Sequence, residues 1–141
     1  MPEQKQAKSL PPDIVARIIL GEAAGEGPAG MMFVRDVLAN RAKTQKKTLE
    51  EVATAPKQFS AYSRPDLEAF YSRQPAILRN LANALVAEAR RPDFVPQYEG
   101  IEHFENIRNW ERRHELPDTH WFNRMEEVGR VGNHVALRPR R

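Results

Sequence analysis

Apolar residues recur at helical spacing from residue 14 to about residue 90, and the recurrence stops at Pro92. A chain patterned this way builds a helical body and closes it with shorter, irregular elements. The first stripe, Ile14, Val15, Ile18 and Ile19, starts after "SLPPD", where Ser9 or Asp13 caps the helix and proline fills its first turn. A second helix spans roughly 28–43 with Phe33, Val34, Val37 and Leu38 inward. Thr48 and Glu51 form a capping-box pattern for a short third helix, and a long one runs from about Pro75 to Arg90. "PKQFSAYSRP" reads as loop. Beyond Pro92, "YEGIEHFEN" and "NHVAL" read as short strands and "THWFNRMEEVG" as a short helix. The expected fold is α+β, mainly helical, in one domain with a small C-terminal β element. Residues 1–10 are expected to be a flexible N-terminus, 11–138 the folded domain and 139–141 a basic tail.

The 141 residues suit one hydrophobic core. No apolar run approaches the roughly 18–20 residues needed to span a bilayer, so stable membrane insertion is not expected. "MPEQKQAKSLPP" has no apolar core of a secretory signal. The chain has no cysteine, which excludes disulfides, thiolate metal sites and cysteine nucleophiles. With 22 Lys and Arg against 19 Asp and Glu the net charge is +3, a weak attraction to anionic polymers. The basic residues interleave with acidic ones rather than forming a nucleic-acid-binding face, so no nucleic-acid partner is expected.

The first apolar stripe runs straight into Glu22, and "GEGPAG" then breaks the helix. A carboxyl at the end of a buried helix face loses part of its water, and desolvation favours the protonated form that a general acid needs. An ordinary half-exposed helix-end glutamate fits the same spacing. Gly21 beside it reads as room for a bulky substrate. Glu26 falls four residues on and serves either as a second carboxylate or as a charge near the start of the second helix. The four histidines, 103, 114, 120 and 134, make no close metal pair, so no metal or cofactor is expected. No GxSxG, GxxxxGK[ST] or GxGxxG pattern is present.

"ARIILGEAAGEGPAGMMFVRDVLANRAK", with Ala39-Asn40-Arg41 closing its second helix, resembles the opening of the cell wall hydrolases related to spore cortex-lytic enzymes, the SleB-type family. "PKQFSAY", "EHFEN", Trp121 and "RVGNHVAL" follow in that family's order, so the resemblance covers about residues 14–138. Departures are Ala24 where the family has arginine and Ala136-Leu137 where it has Phe-Tyr. The resemblance implies a lysozyme-like, lytic-transglycosylase-like domain that cleaves the β-1,4 bond between N-acetylmuramic acid and N-acetylglucosamine, with Glu22 as acid/base. It makes Gln58, Phe59, Ser60, Tyr62, His103, Asn106, Trp121 and His134 the expected glycan-binding or cleft-supporting residues. The expected reaction is lytic transglycosylation. The alternatives are a hydrolytic muramidase using Glu22 with Glu26, and a non-catalytic wall-binding or virion structural protein. The expected setting is that of a monomeric phage endolysin, made in the cytoplasm and released to peptidoglycan through a holin-type hole.

Overall fold

A computed structural model describes residues 13–56, 59–98 and 100–140. The flexible tail expected over residues 1–10, the Ser9 cap, Gln58 and the last residue of the basic tail lie outside these.

Helix α1 (Ile14–Ala23) is capped by Asp13, whose side chain accepts from the Val15 N–H. One turn of 3-10 helix (Ala24–Glu26) separates it from α2 (Gly27–Gln45), which opens with Pro28 in its first turn. Helix α3 (Leu49–Thr54) carries the full capping box between Thr48 and Glu51. A 3-10 turn (Ser60–Ser63) and helix α4 (Leu67–Arg73) then occupy a stretch read from sequence as loop. Arg17, nearly buried on α1, draws α4 in by pairing with Glu68 at 2.5 Å and lying over the Tyr71 ring. Helix α5 (Ala76–Ala89) completes the body, with α1 packed against α2, α4 and α5.

The C-terminal part is a three-stranded antiparallel sheet in the order β1 (His103–Asn106), β3 (His134–Pro139), β2 (Met125–Val131). Between β1 and β2 lie α6 (Ile107–Glu111) and two 3-10 turns, Arg113–Glu115 and Trp121–Arg124. The helix expected over "THWFNRMEEVG" is thus a 3-10 turn followed by a strand. A bulge between Glu127 and Gly129 interrupts the two-residue alternation that would have marked β2 as a strand. Only pairing with β3 reveals it.

The sheet separates two apolar clusters. Phe104, Val128 and Ala136 face the helical body, where the large core of α1–α5 sits. Val135, Leu137 and Met125 face a smaller cluster with Trp110 and Phe122, which Trp121 borders. Ala136 and Leu137, the residues that depart from the family pattern, are both fully buried, on opposite faces of β3. Their effect is on packing.

Helix α2 does more than pack. Asp36, Asn40 and Arg41 are buried, although polar, because they hold the segment leading to β1. Asp36 accepts the Tyr98 N–H at 3.0 Å, Asn40 donates to the Tyr98 carbonyl at 3.1 Å, and Arg41 donates to the Glu102 carbonyl at 2.5 Å. Three side chains on one helix thereby pin a strandless stretch and deliver His103 to its place.

Candidate active site

Glu22 ends the apolar face of α1, half-buried between Gly21 and the fully packed Ala23. Its Oε2 accepts the Ala61 N–H at 2.7 Å and the Ser60 hydroxyl at 3.3 Å. Among the described residues Oε1 takes no hydrogen bond. The two donors fix the carboxyl's orientation and leave Oε1 as the oxygen that carries a proton when the group is an acid. The loop that supplies them alternates. Phe59 and Ala61 are buried, which turns Ser60 and Tyr62 outward.

Gly21 makes this approach possible. A Cβ built there would stand 2.6 Å from the Ala61 Cβ. The space beside Glu22 read from sequence as room for substrate is therefore filled by the chain's own loop, and the absent side chain brings the Ala61 amide within reach of the carboxylate.

Glu26 has a different employment. Its Oε1 accepts the Asn133 N–H at 3.0 Å, in the turn between β2 and β3. Gly132 beside it has φ +56°, and a Cβ there would fall 1.7 Å from Glu26 Oε1. Glu26 thus clasps the β-hairpin to the start of α2. Glu26→Gln keeps a carbonyl oxygen for the Asn133 amide and is expected to melt within a few degrees of wild type. Gly132→Ala meets both a left-handed backbone and a collision, and is expected to cost about 1–2 kcal/mol or more. Thermal denaturation of the two variants checks the pair, and a Gly132→Ala protein as stable as wild type would remove the clasp.

Arg41 joins two groups of rings. Its guanidinium lies 5.1 Å over the Phe59 ring, which packs against Phe104, and its Nη2 approaches His103 Nδ1 at 3.1 Å. His103 in turn lies 5.0 Å from the Trp121 ring. Burial, and then the Arg41 cation, push the His103 imidazole down to about 4. The ring is therefore neutral near pH 7.

Trp121 and Glu105 wall a groove of about 410 Å³ that also includes Asn109, Arg112 and His120. His103 and Glu105 share one face of β1, since residues two apart on a strand do. The other tryptophan, Trp110, is buried and donates to Glu127 at 3.1 Å. Asn106 is exposed and caps α6 by accepting from the Arg108 and Asn109 amides. His134 packs on Phe104 at 5.1 Å, with a buried Nδ1 that has no partner among the described residues. A chain of contacts through Arg41 links Glu22, Ser60, Phe59, His103 and Trp121. Asn106 and Glu26 stand at the hairpin instead. Among the described residues no group of three His, Cys, Asp or Glu is placed to hold a metal ion.

Sequence reasoning missed Arg41 and the Ala61 amide. Arg41 had a signal of the kind that marked Glu22, a polar residue continuing the stripe Val34, Val37, Leu38. A backbone amide leaves no trace in residue type.

In a comparison with protein families, residues 25–136 match the model described as Cell Wall Hydrolase. The matched span contains Glu26, Arg41, the 59–62 loop, His103, Trp121 and His134, and begins three residues after Glu22. Neither a search of curated proteins nor one of solved structures returned a match.

Proposed function

The chain belongs to the cell wall hydrolase family, and on that premise we propose that it cuts the glycan strands of peptidoglycan as a lytic transglycosylase with Glu22 as its acid and base. The observation that carries this reading is the held carboxyl, with Oε2 fixed by Ala61 and Ser60 and Oε1 left for proton transfer.

In the first step the Oε1 proton passes to the glycosidic oxygen between N-acetylmuramic acid and N-acetylglucosamine as the C1–O bond breaks. Positive charge spreads over C1 and the ring oxygen. The ionised Glu22 then accepts the proton of the muramic acid's own 6-hydroxyl. O6 bonds to C1, closing a 1,6-anhydro ring, and Glu22 is protonated again. No water is consumed. Ser60 and Tyr62, both facing outward, and the Trp121 ring offer hydrogen bonds and a stacking face to the strand. Phe59, buried beneath, supports the loop.

Hydrolysis would need a second carboxylate about 5–5.5 Å or about 6.5–9.5 Å from the first, depending on stereochemistry. Glu26 is the sequence's candidate, and its use as the hairpin clasp favours the single-glutamate route. Mass spectrometry of soluble products from purified sacculi tests the choice. Muropeptides ending in 1,6-anhydro-muramic acid, lighter by one water than reducing ends, are expected. Reducing ends alone would replace transglycosylation by hydrolysis, and no soluble product from several sacculus types would favour a binding or structural role.

A further inference from the structure

From the Arg41–His103–Trp121 contact we infer that His103 is a locked hydrogen-bond donor, and that with Trp121 it forms a subsite selecting an acetamido carbonyl on the bound sugar over a free amino group. The inference rests on the reading of the protein as a glycan-strand-cleaving enzyme.

The chemistry starts from Arg41. A guanidinium has five N–H donors and no acceptor. When its Nη2 meets His103 Nδ1 at 3.1 Å, Nδ1 must be the acceptor, so the ring's proton resides on Nε2. Arg41 cannot turn away easily, because Nε is bonded to the Glu102 carbonyl and the guanidinium plane rests on Phe59. The tautomer is therefore set by a buried cation that is itself held on two sides.

Nε2–H is the end of the ring left over. It has no hydrogen-bond partner among the described residues, and it is not among the buried polar atoms lacking one. His103 lies against Trp121, whose ring walls the groove, and shares its strand face with Glu105, another wall residue. An aromatic ring on the groove wall thus stands next to one fixed donor.

A fixed donor distinguishes ligands by what they offer. An N-acetyl group brings a carbonyl acceptor. A de-N-acetylated sugar brings an ammonium, which has only donors, to a spot where Nε2–H also donates and the Arg41 cation lies behind the ring. The charged and titratable groups around His103 are Arg41 from α2, Glu102 and Glu105 on its own segment, and His120 beside Trp121. Arg41 is the one in direct contact, and burial first, then the Arg41 cation, keeps the imidazole neutral, so the donor persists through mildly acidic pH.

Two measurements test this on the intact chain. In histidine labelled with nitrogen-15, long-range proton–nitrogen correlations, assigned by the peaks lost in His103→Gln, are expected to show Nε2–H with bare Nδ1 down to about pH 5. The opposite tautomer, or titration near 6.5, would overturn the lock. Second, kcat/KM on sacculi with N-deacetylated glycans is expected to fall about tenfold or more below that on the fully acetylated wall, and to return after re-acetylation with acetic anhydride. His103→Gln, which puts an amide N–H near the Nε2 position, is expected to retain most of this preference. His103→Asn, too short to reach, is expected to lose it. If His103→Asn fails to fold, the wild-type ratio and the glutamine variant still decide. Equal rates on both walls would overturn the subsite and leave the cleavage reading standing. Acetylated sacculi left intact by the wild type would overturn both.

Discussion

Glu22→Gln is expected to lower glycan-strand cleavage by about a thousandfold while leaving the melting temperature close to that of the wild type. General acid–base participation contributes roughly 10²–10⁴ in rate, and in the proposed mechanism one group performs both transfers. Glutamine has no proton acidic enough to give and no charge with which to take one. It does have a carbonyl oxygen in the place of Oε2, so the Ala61 amide and the Ser60 hydroxyl keep their acceptor and the loop keeps its position. That separation of chemistry from structure is why glutamine, not alanine, is the informative change. Ser60→Ala, which removes the longer of the two hydrogen bonds, is expected to cost less than about tenfold. Release of soluble muropeptides, with a thermal melt on the same samples, reads both effects. A folded Glu22→Gln protein with more than a tenth of wild-type activity would take the catalytic role away from Glu22.

Much of this arrangement can be read from the sequence where a short-range rule acts alone. The Asp13 cap, the Thr48–Glu51 box, the ends of α1, α2 and α5, and strands β1 and β3 follow from spacing and capping chemistry. The stripe of α1 also singles out Glu22, because a carboxyl on an apolar face needs partners. What is not legible depends on contacts between segments far apart in the chain. Helix α4 is seven residues long and is held by Arg17 across 51 positions. Strand β2 carries a bulge that hides its alternation. The role of Gly21 was misread because the group that approaches it, Ala61, is 40 residues away and contributes a backbone amide. Glu26 illustrates the same limit. It stands at the start of α2, as its neighbours in sequence suggest, but its partner, a turn 107 residues later, leaves no sign among them. Sequence spacing nominates polar groups that must be satisfied, and the fold decides what satisfies them.

Asp36→Ala is expected to destabilise the folded chain by about 3–5 kcal/mol, a large share of the roughly 5–15 kcal/mol that holds a domain together. Asp36 is fully buried and Arg35 nearly so, and they pair at 2.8 Å. Burial pushes the Asp36 carboxyl up from its ordinary value, while the Tyr98 amide and the Arg35 charge pull it back. Burial being the largest of these, the pair as a whole stabilises little, but its halves cannot be separated. Without the carboxylate, Arg35 retains the Leu85 carbonyl, the half-exposed Glu88 and the Phe94 ring, yet loses its buried counter-charge. The Tyr98 N–H is orphaned at the same time. Two costs therefore coincide in one substitution. Asp36→Asn keeps an oxygen for Tyr98 and is expected to lose less. Replacing both partners with apolar residues, Arg35→Met with Asp36→Leu, is expected to recover most of the loss, leaving the orphaned Tyr98 amide and a half-exposed Glu88 without its ion pair. Denaturant unfolding of the wild type, Arg35→Met, Asp36→Leu and the double variant gives the coupling directly. The consequence reaches the site, since the segment held at Tyr98 runs on to Glu102 and His103. An Asp36→Ala protein within about 1 kcal/mol of wild type would mean that Asn40 and Arg41 alone hold that segment, and that the buried ion pair is not what positions His103.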